Sequence, residues 1–229
     1  MSDLTPAPSE PVDPPTPTGQ STRLVLVGVA VLAAIGLAVG GVLIATKDSD
    51  DDGTTGATPA PCGSVISRET DKTQQHTDDE DVDYADAPPS FGEHFPRWEP
   101  FGRAFYGDDR PPVSHLVHNL EHGYTIAWYD EAIAKDEDAM DDLADIAQDY
   151  QDEQERFIAV PWKSSDGDDF PDDMHVALTR WSADPDDPAD LDAQRGNWLY
   201  CGGVEADAID DFVEAFPNER SPEPGIPLE

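Results

Sequence analysis

The most extreme pattern along the chain is an apolar run. From Leu24 to Ala45, 22 residues pass without a charge, and nearly all are Leu, Val, Ile, Ala or Gly. At about 1.5 Å per residue the run spans about 30 Å, the thickness of a bilayer's hydrocarbon core. No water is available there, so a helix is the way to satisfy every backbone group. A signal peptide would have a short basic start, a shorter apolar stretch and a small-x-small cleavage site. Here a Pro/Thr-rich segment of more than twenty residues precedes the run and no such site follows it. Residues 24–45 therefore read as one retained transmembrane helix.

Beyond residue 61 the pattern is that of a water-soluble domain. Tyr124–Tyr129 is β-branched and aromatic, a strand signal. From Asp136 to Tyr150, apolar side chains fall at Ala139, Met140, Leu143, Ile146, Ala147 and Tyr150, the spacing of an amphipathic helix. Phe157–Val160 and His175–Trp181 read as two further strands. Ala206–Phe216 reads as a closing helix with Ile209, Phe212, Val213 and Phe216 on one face. This order predicts an α+β domain over residues 62–217, a small sheet packed by helices. Residues 76–112 look irregular, with Phe91, Phe95, Trp98, Phe101, Phe105 and Tyr106 expected to pin them to the core. The flanks cannot build a core. Residues 1–22 hold six prolines and read as a disordered cytoplasmic tail; 46–61 is an acidic Pro/Gly/Thr spacer; 218–229 is a Pro-rich tail.

Charge and cysteine usage orient this layout. The basic residues flanking the span tie, Arg23 against Lys47, so the positive-inside rule scarcely votes. The acidic run after the span (Asp48, Asp50, Asp51, Asp52) and the even cysteine count of the domain place the domain outside the cell membrane. Cys62 and Cys201 are the expected disulfide, closing a loop of about 140 residues worth at most about 5 kcal/mol. There is no C-x-x-C, so a thioredoxin-type redox role has no support. The net charge of −37 lies almost wholly on residues 48–229, after the span, and argues against nucleic acid and anionic headgroups as ligands. Gly36-Leu-Ala-Val-Gly40 matches the small-xxx-small pattern of helix dimers, making a homodimer through the span an expected partner arrangement.

Candidate chemistry concentrates in histidine. Four of the six histidines fall between residues 94 and 122, in His94 and then His115-Leu-Val-His118-Asn119-Leu120-Glu121-His122-Gly123. On a helix, His118 and His122 share a face and can reach one metal ion. With Glu121 they form H-x-x-E-H, the order of inverzincin-type peptidases in which the Glu is a general base. Pro111 and Pro112 before the motif and Gly123 after it limit any helix to about two turns, with Gly123 at its C-terminal cap. The turn Pro88-Pro89-Ser90-Phe91-Gly92-Glu93-His94 presents His94 as the third ligand, with His76 or solvent completing the shell.

Together, Pro-Pro-x-x-Gly-x-His at 88–94 and His-Asn-Leu-Glu-His-Gly at 118–123 resemble the domain-of-unknown-function family 3105 over about residues 62–217. That resemblance implies a bacterial, notably actinobacterial, protein with one N-terminal membrane helix and an exported domain. It also implies that the two histidine motifs belong to one unit, and it supplies no reaction. Ser90 and Phe91 replace the usual Thr-Ser, and Glu93 replaces a proline. This removes any role for that serine hydroxyl and leaves His94 available. Three functions follow in order. The first is a domain binding one zinc or copper ion through His94, His118 and His122 with His76, Glu121 acting as partner or base. The second is a non-enzymatic envelope module with the histidines as a hydrogen-bonded structural cluster. The third is an exported metallohydrolase with Glu121 as the catalytic base.

Overall fold

The computed structural model describes residues 60–228. The expected transmembrane helix, its Gly36/Gly40 contact, the N-terminal tail and the spacer up to residue 59 lie outside the described residues. Among the described residues no helix is long and apolar enough to cross a membrane.

Five strands and four helices follow one another as β1 (Ile66–Glu69), α1 (Val113–Glu121), β2 (Thr125–Tyr129), α2 (Glu131–Ala134), α3 (Glu137–Asp152), β3 (Phe157–Pro161), β4 (Val176–Ser182), β5 (Arg195–Cys201) and α4 (Ala206–Ala215). The strands form one mixed sheet in the order β1-β5-β4-β2-β3. All neighbours run antiparallel except β2 and β3, which pair in parallel from Thr125↔Phe157 to Tyr129↔Pro161. A parallel pair requires a crossover, and α2 with α3 supplies it.

Period-two alternation divides the strand residues between two cores. Ala127, Tyr129, Phe157, Ala159, Val176, Leu178 and Leu199 face one side, where Leu143 and Ala147 of α3 and Ile209 and Phe212 of α4 cover them. Ile126, Trp128, Ile158, Val160, Ala177 and Trp181 face the other side and meet Leu116, Val117 and Leu120 of α1. The domain is thus three layers, α3/α4, sheet, and α1 with the irregular segment. Asp130 and Asp136 cap α2 and α3, the first carboxylate accepting from Ala132 N and Ile133 N and the second from Ala139 N. The aromatics of residues 76–112 split as well. Tyr106 is buried on the α1 side and Phe91 and Phe101 pack against it, while Phe105 packs on the α3 side. Tyr106 and Ala104 also bond the backbone of Ala159 at 2.9 and 2.8 Å, shielding the β3 edge.

Several expectations change, beginning with β1 and α2, which lie where no strand or helix was expected. A strand, β5, runs through Arg195–Cys201, and Cys201 at its end forms the disulfide with Cys62. The segment 218–228 is not a free tail. Asn218–Arg220 form a 3-10 turn, Ser221 is fully buried, Arg220 accepts a bond from Ala183 N at 2.6 Å, and Glu223 N donates to Glu121 O at 3.0 Å. Proline removes local helix and strand signal, yet it leaves carbonyls and neighbouring N–H groups free to bond over long range.

Gly123 is the joint of this arrangement. Its φ of +85° ends α1, and a Cβ there would sit 2.2 Å from Asn218 Oδ1 and 2.9 Å from Ser221 Oγ. Gly123→Ala combines a left-handed penalty of about 1 kcal/mol with displacement of the docked 218–228 segment. We expect a total loss of about 2–4 kcal/mol in urea unfolding. A loss below about 0.5 kcal/mol would show that the segment is not seated on this glycine.

Candidate metal centre

α1 is unusual in its burial. Every residue from Ser114 to Glu121 is buried, and five of these eight are polar or charged. Buried polar side chains need partners, and α1 finds most of them in the irregular segment. Ser114 Oγ donates to Glu80 O, and His115 bonds Glu99 and Glu80 at 3.1 and 3.3 Å. Asn119 clips the backbone of Glu99 twice, at 2.9 Å each. These bonds lay residues 80–99 along α1 and bring the Pro-Pro-x-x-Gly-x-His turn to its C-terminal end. Ser90 Oγ fixes the turn from below, donating to Arg180 O at 2.7 Å and accepting from Asn197 N at 2.9 Å.

Residues 75–77 then pair with residue 94. Thr77 N bonds His94 O at 2.8 Å and His94 N bonds Gln75 O at 3.3 Å, which sets His76 beside His94. The ring centroids of His76, His94 and His118 lie 4.7–5.0 Å from one another. One ligand atom from each of His76, His94, His118 and Glu121 lies within 4.8 Å of the other three. His94, His118 and Glu121 are buried, and His76 is exposed.

The backbone fixes which nitrogen of each ring faces inward. Nδ1 of His94 is 2.8 Å from Gly92 O, and Nδ1 of His118 is 2.8 Å from Phe95 O. A carbonyl only accepts, so each Nδ1 carries a proton, and in the neutral form of either ring Nε2 is the atom left with a lone pair. This is the outer hydrogen bond that metal-bound imidazoles use to set tautomer and orientation. Both Nε2 atoms meet the same carboxylate oxygen. Glu121 Oε2 is 3.0 Å from His94 Nε2 and 3.8 Å from His118 Nε2. The nearer contact lies off the ring's hydrogen-bonding direction, so His94 Nε2 is buried without a hydrogen bond. The two distances bracket the edge of about 3.3–3.4 Å that a tetrahedron of 2.0–2.1 Å bonds requires.

Charge at the cluster points the same way. Glu121 is 3% exposed, and among the described residues its carboxylate comes within 4 Å of these two histidines but of no lysine or arginine. Burial pushes its carboxyl up, but His94 and Gln74 outweigh burial and leave it below the usual value. Burial pulls His118 down to about 3, against the bond to Phe95 O, with His94 and His122 adding to the fall. Burial also takes His122 to about 4, opposed by Glu121 and reinforced by Arg156. At neutral pH His118 and His122 are therefore uncharged and Glu121 is an anion. His118 and Glu121 thus need no proton removed before they can bind a cation.

His122 sits differently from the sequence expectation. It is the residue that ends α1, and its Nε2 lies 3.2 Å from Glu223 Oε2. It belongs to an adjoining trio with Glu121 and Glu223 rather than to the four-atom set. Trp98 covers both groups, its ring centroid 5.1 Å from His118 and 4.6 Å from His122. Glu121, expected as a base or outer partner, lies among the ligand atoms themselves. His175 stands apart, half-exposed and bonded to Asp130 at 2.8 Å. Glu223 escaped sequence reasoning because nothing in a Pro-rich stretch marks one glutamate from another.

A family model described as "Protein of unknown function (DUF3105)" matches residues 75–229, more than half of the chain. The chain belongs to the DUF3105 family. Both histidine motifs, His76 and the docked C-terminal segment with Glu223 fall inside the DUF3105 match, whereas Cys62 and β1 precede it. No curated protein and no solved structure matches the chain.

Proposed function

We propose that this DUF3105 domain binds one transition-metal ion, zinc or copper, through Nε2 of His94 and His118, with Glu121 and His76 completing the shell. The observation that supports the reading best is the buried Glu121 carboxylate, faced by two imidazole Nε2 atoms and lacking any lysine or arginine partner. Leaving such a set empty sets lone pair against lone pair in a low-dielectric site, which a proton relieves in part and a divalent ion relieves fully. Three imidazoles and one carboxylate suit zinc and copper. The domain acts outside the membrane, tethered by the helix expected at 24–45. The exposed His76 is the ligand that leaves most readily, opening the position an incoming molecule would take.

The rival reading keeps the same residues as structural glue, with a proton shared between His94 and Glu121. It is favoured by the bonds from both Nδ1 atoms to backbone carbonyls, which hold the loop whether or not metal is present. The deciding experiment strips the purified chain with a chelator, reloads it separately with zinc, copper, nickel and iron, and counts metal by elemental analysis. One ion per chain is expected from zinc or copper, and His94→Ala and His118→Ala should each lose it while keeping the circular dichroism of the parent. Failure of all four metals to bind stoichiometrically discards the metal reading and leaves the structural one.

A further inference from the structure

A second cluster lies on the other side of Gly123. A cleft of about 390 Å³ is lined by Arg156 and Arg180 together with Glu153, Glu155, Asp210 and Glu214. The chain has 50 acidic residues and 13 basic ones, so any arginine has a wide choice of carboxylate partners. Yet among the described residues neither Arg156 nor Arg180 forms an ion pair. Both are held by backbone carbonyls instead. Arg156 Nη1 donates to His122 O at 2.7 Å and its Nη2 to Ile226 O, while Arg180 Nη1 donates to Gly123 O. Arg180 is 3% exposed, and its Nε and Nη2 are buried with no hydrogen-bond partner.

A buried guanidinium with two unbonded nitrogens is costly, because carbonyl dipoles do not neutralise its charge. Burial and the neighbouring Arg156 pull its pKa down to about 9. Arg180 is buried and Arg156 half-buried, whereas Glu153, Glu155, Asp210 and Glu214 are all exposed. The cleft therefore has a cationic floor inside an anionic mouth. A planar, two-oxygen anion matches the guanidinium fork, and the mouth repels any ligand that carries negative charge alone.

We propose that this cleft binds a small zwitterion of the α-amino-acid type, its carboxylate on Arg180 and Arg156 and its ammonium toward the carboxylates at the mouth. The volume accommodates a single amino acid or a short peptide, and Val213 and Phe216 give its side chain an apolar wall. The site uses none of the metal-ligand side chains, so it stands or falls apart from the metal reading.

The test is isothermal titration of the full chain, metal-stripped and zinc-loaded, with glycine, L-leucine, L-methionine, acetate and inorganic phosphate. At least one amino acid should bind one to one with a dissociation constant below about 1 mM, and acetate and phosphate should be at least about tenfold weaker. The affinities should be the same with and without zinc. Arg180→Met should abolish binding while melting no lower than the parent, since it replaces an uncompensated buried charge with an apolar side chain. Arg156→Gln, at a half-buried position, should weaken binding about tenfold or more, and it carries the test if Arg180→Met does not fold. The proposal is overturned if no amino acid binds below about 1 mM, if phosphate binds more tightly than any amino acid, or if Arg156→Gln leaves the affinity unchanged.

Discussion

Replacing Cys62 and Cys201 together by alanine is expected to lower the unfolding free energy by up to about 5 kcal/mol. The bridge spans a sequence separation of 139 residues. A crosslink over that distance removes much of the freedom of the unfolded chain, and its effect grows slowly with loop length. A local term adds to this. β1 pairs with β5 alone, through four residues that are all exposed, and its side chains add the Ser67 bond to Asn197 and the Arg68 guanidinium over the Trp198 ring. Without the bridge the chain ahead of β1 is held by little more than the bonds from Gly63 N to Tyr200 O and from Gly202 N to Ala60 O. Urea denaturation with and without reductant measures the total, and hydrogen exchange should show β1 amides opening while β4 and β2 stay protected. A total loss under about 1 kcal/mol would mean that the disulfide constrains nothing the fold does not already hold.

The sheet's centre and both large helices were legible because their stability is written locally. β2, β3 and β4 are runs of branched and aromatic residues, and α3 and α4 repeat apolar side chains at helical spacing; their observed ends agree with expectation to within about two residues. β5 carries Gly196 and Asn197 in its middle, which argue against a strand on propensity. Asn197 belongs there because its amide donates to Arg180 O and Ser182 Oγ and its N–H to Ser90 Oγ, while Trp198 Nε1 donates to Pro88 O 110 residues away. No local pattern encodes such partners. The same holds at the histidines. The i, i+4 spacing of His118 and His122 was visible, but His122 leaves the helix at its cap and finds Glu223. His76 and His94 reach the cluster through one backbone bridge that only the fold creates.

Glu121→Gln separates the two accounts of the cluster by effects of opposite size. In the metal-free chain the substitution exchanges a buried carboxylate for a neutral amide of the same shape. The new NH₂ can donate to the lone pair of His94 Nε2, which lacks a hydrogen bond now. Deleting an uncompensated anion and satisfying an orphan acceptor roughly cancel the lost attraction, so metal-free stability should change by less than about 1 kcal/mol. Metal affinity should behave otherwise. A neutral amide oxygen is a poor ligand for zinc or copper beside imidazoles, and the site loses its only anion. Mutating an outer partner of a metal site typically costs 10–100-fold, so a residue inside the shell should cost more than about 100-fold. At a metal concentration about 100 times the parent's dissociation constant, the stabilisation of about 2.7 kcal/mol given by binding should fall to about 0.4 kcal/mol. Paired melting curves of parent and variant, with and without zinc, read both quantities at once. An equal drop in both curves would make Glu121 a structural ion-pair partner of His94. A drop confined to the zinc-loaded curve makes its carboxylate a ligand, and the burial of a lone anion at the end of α1 then has its cause.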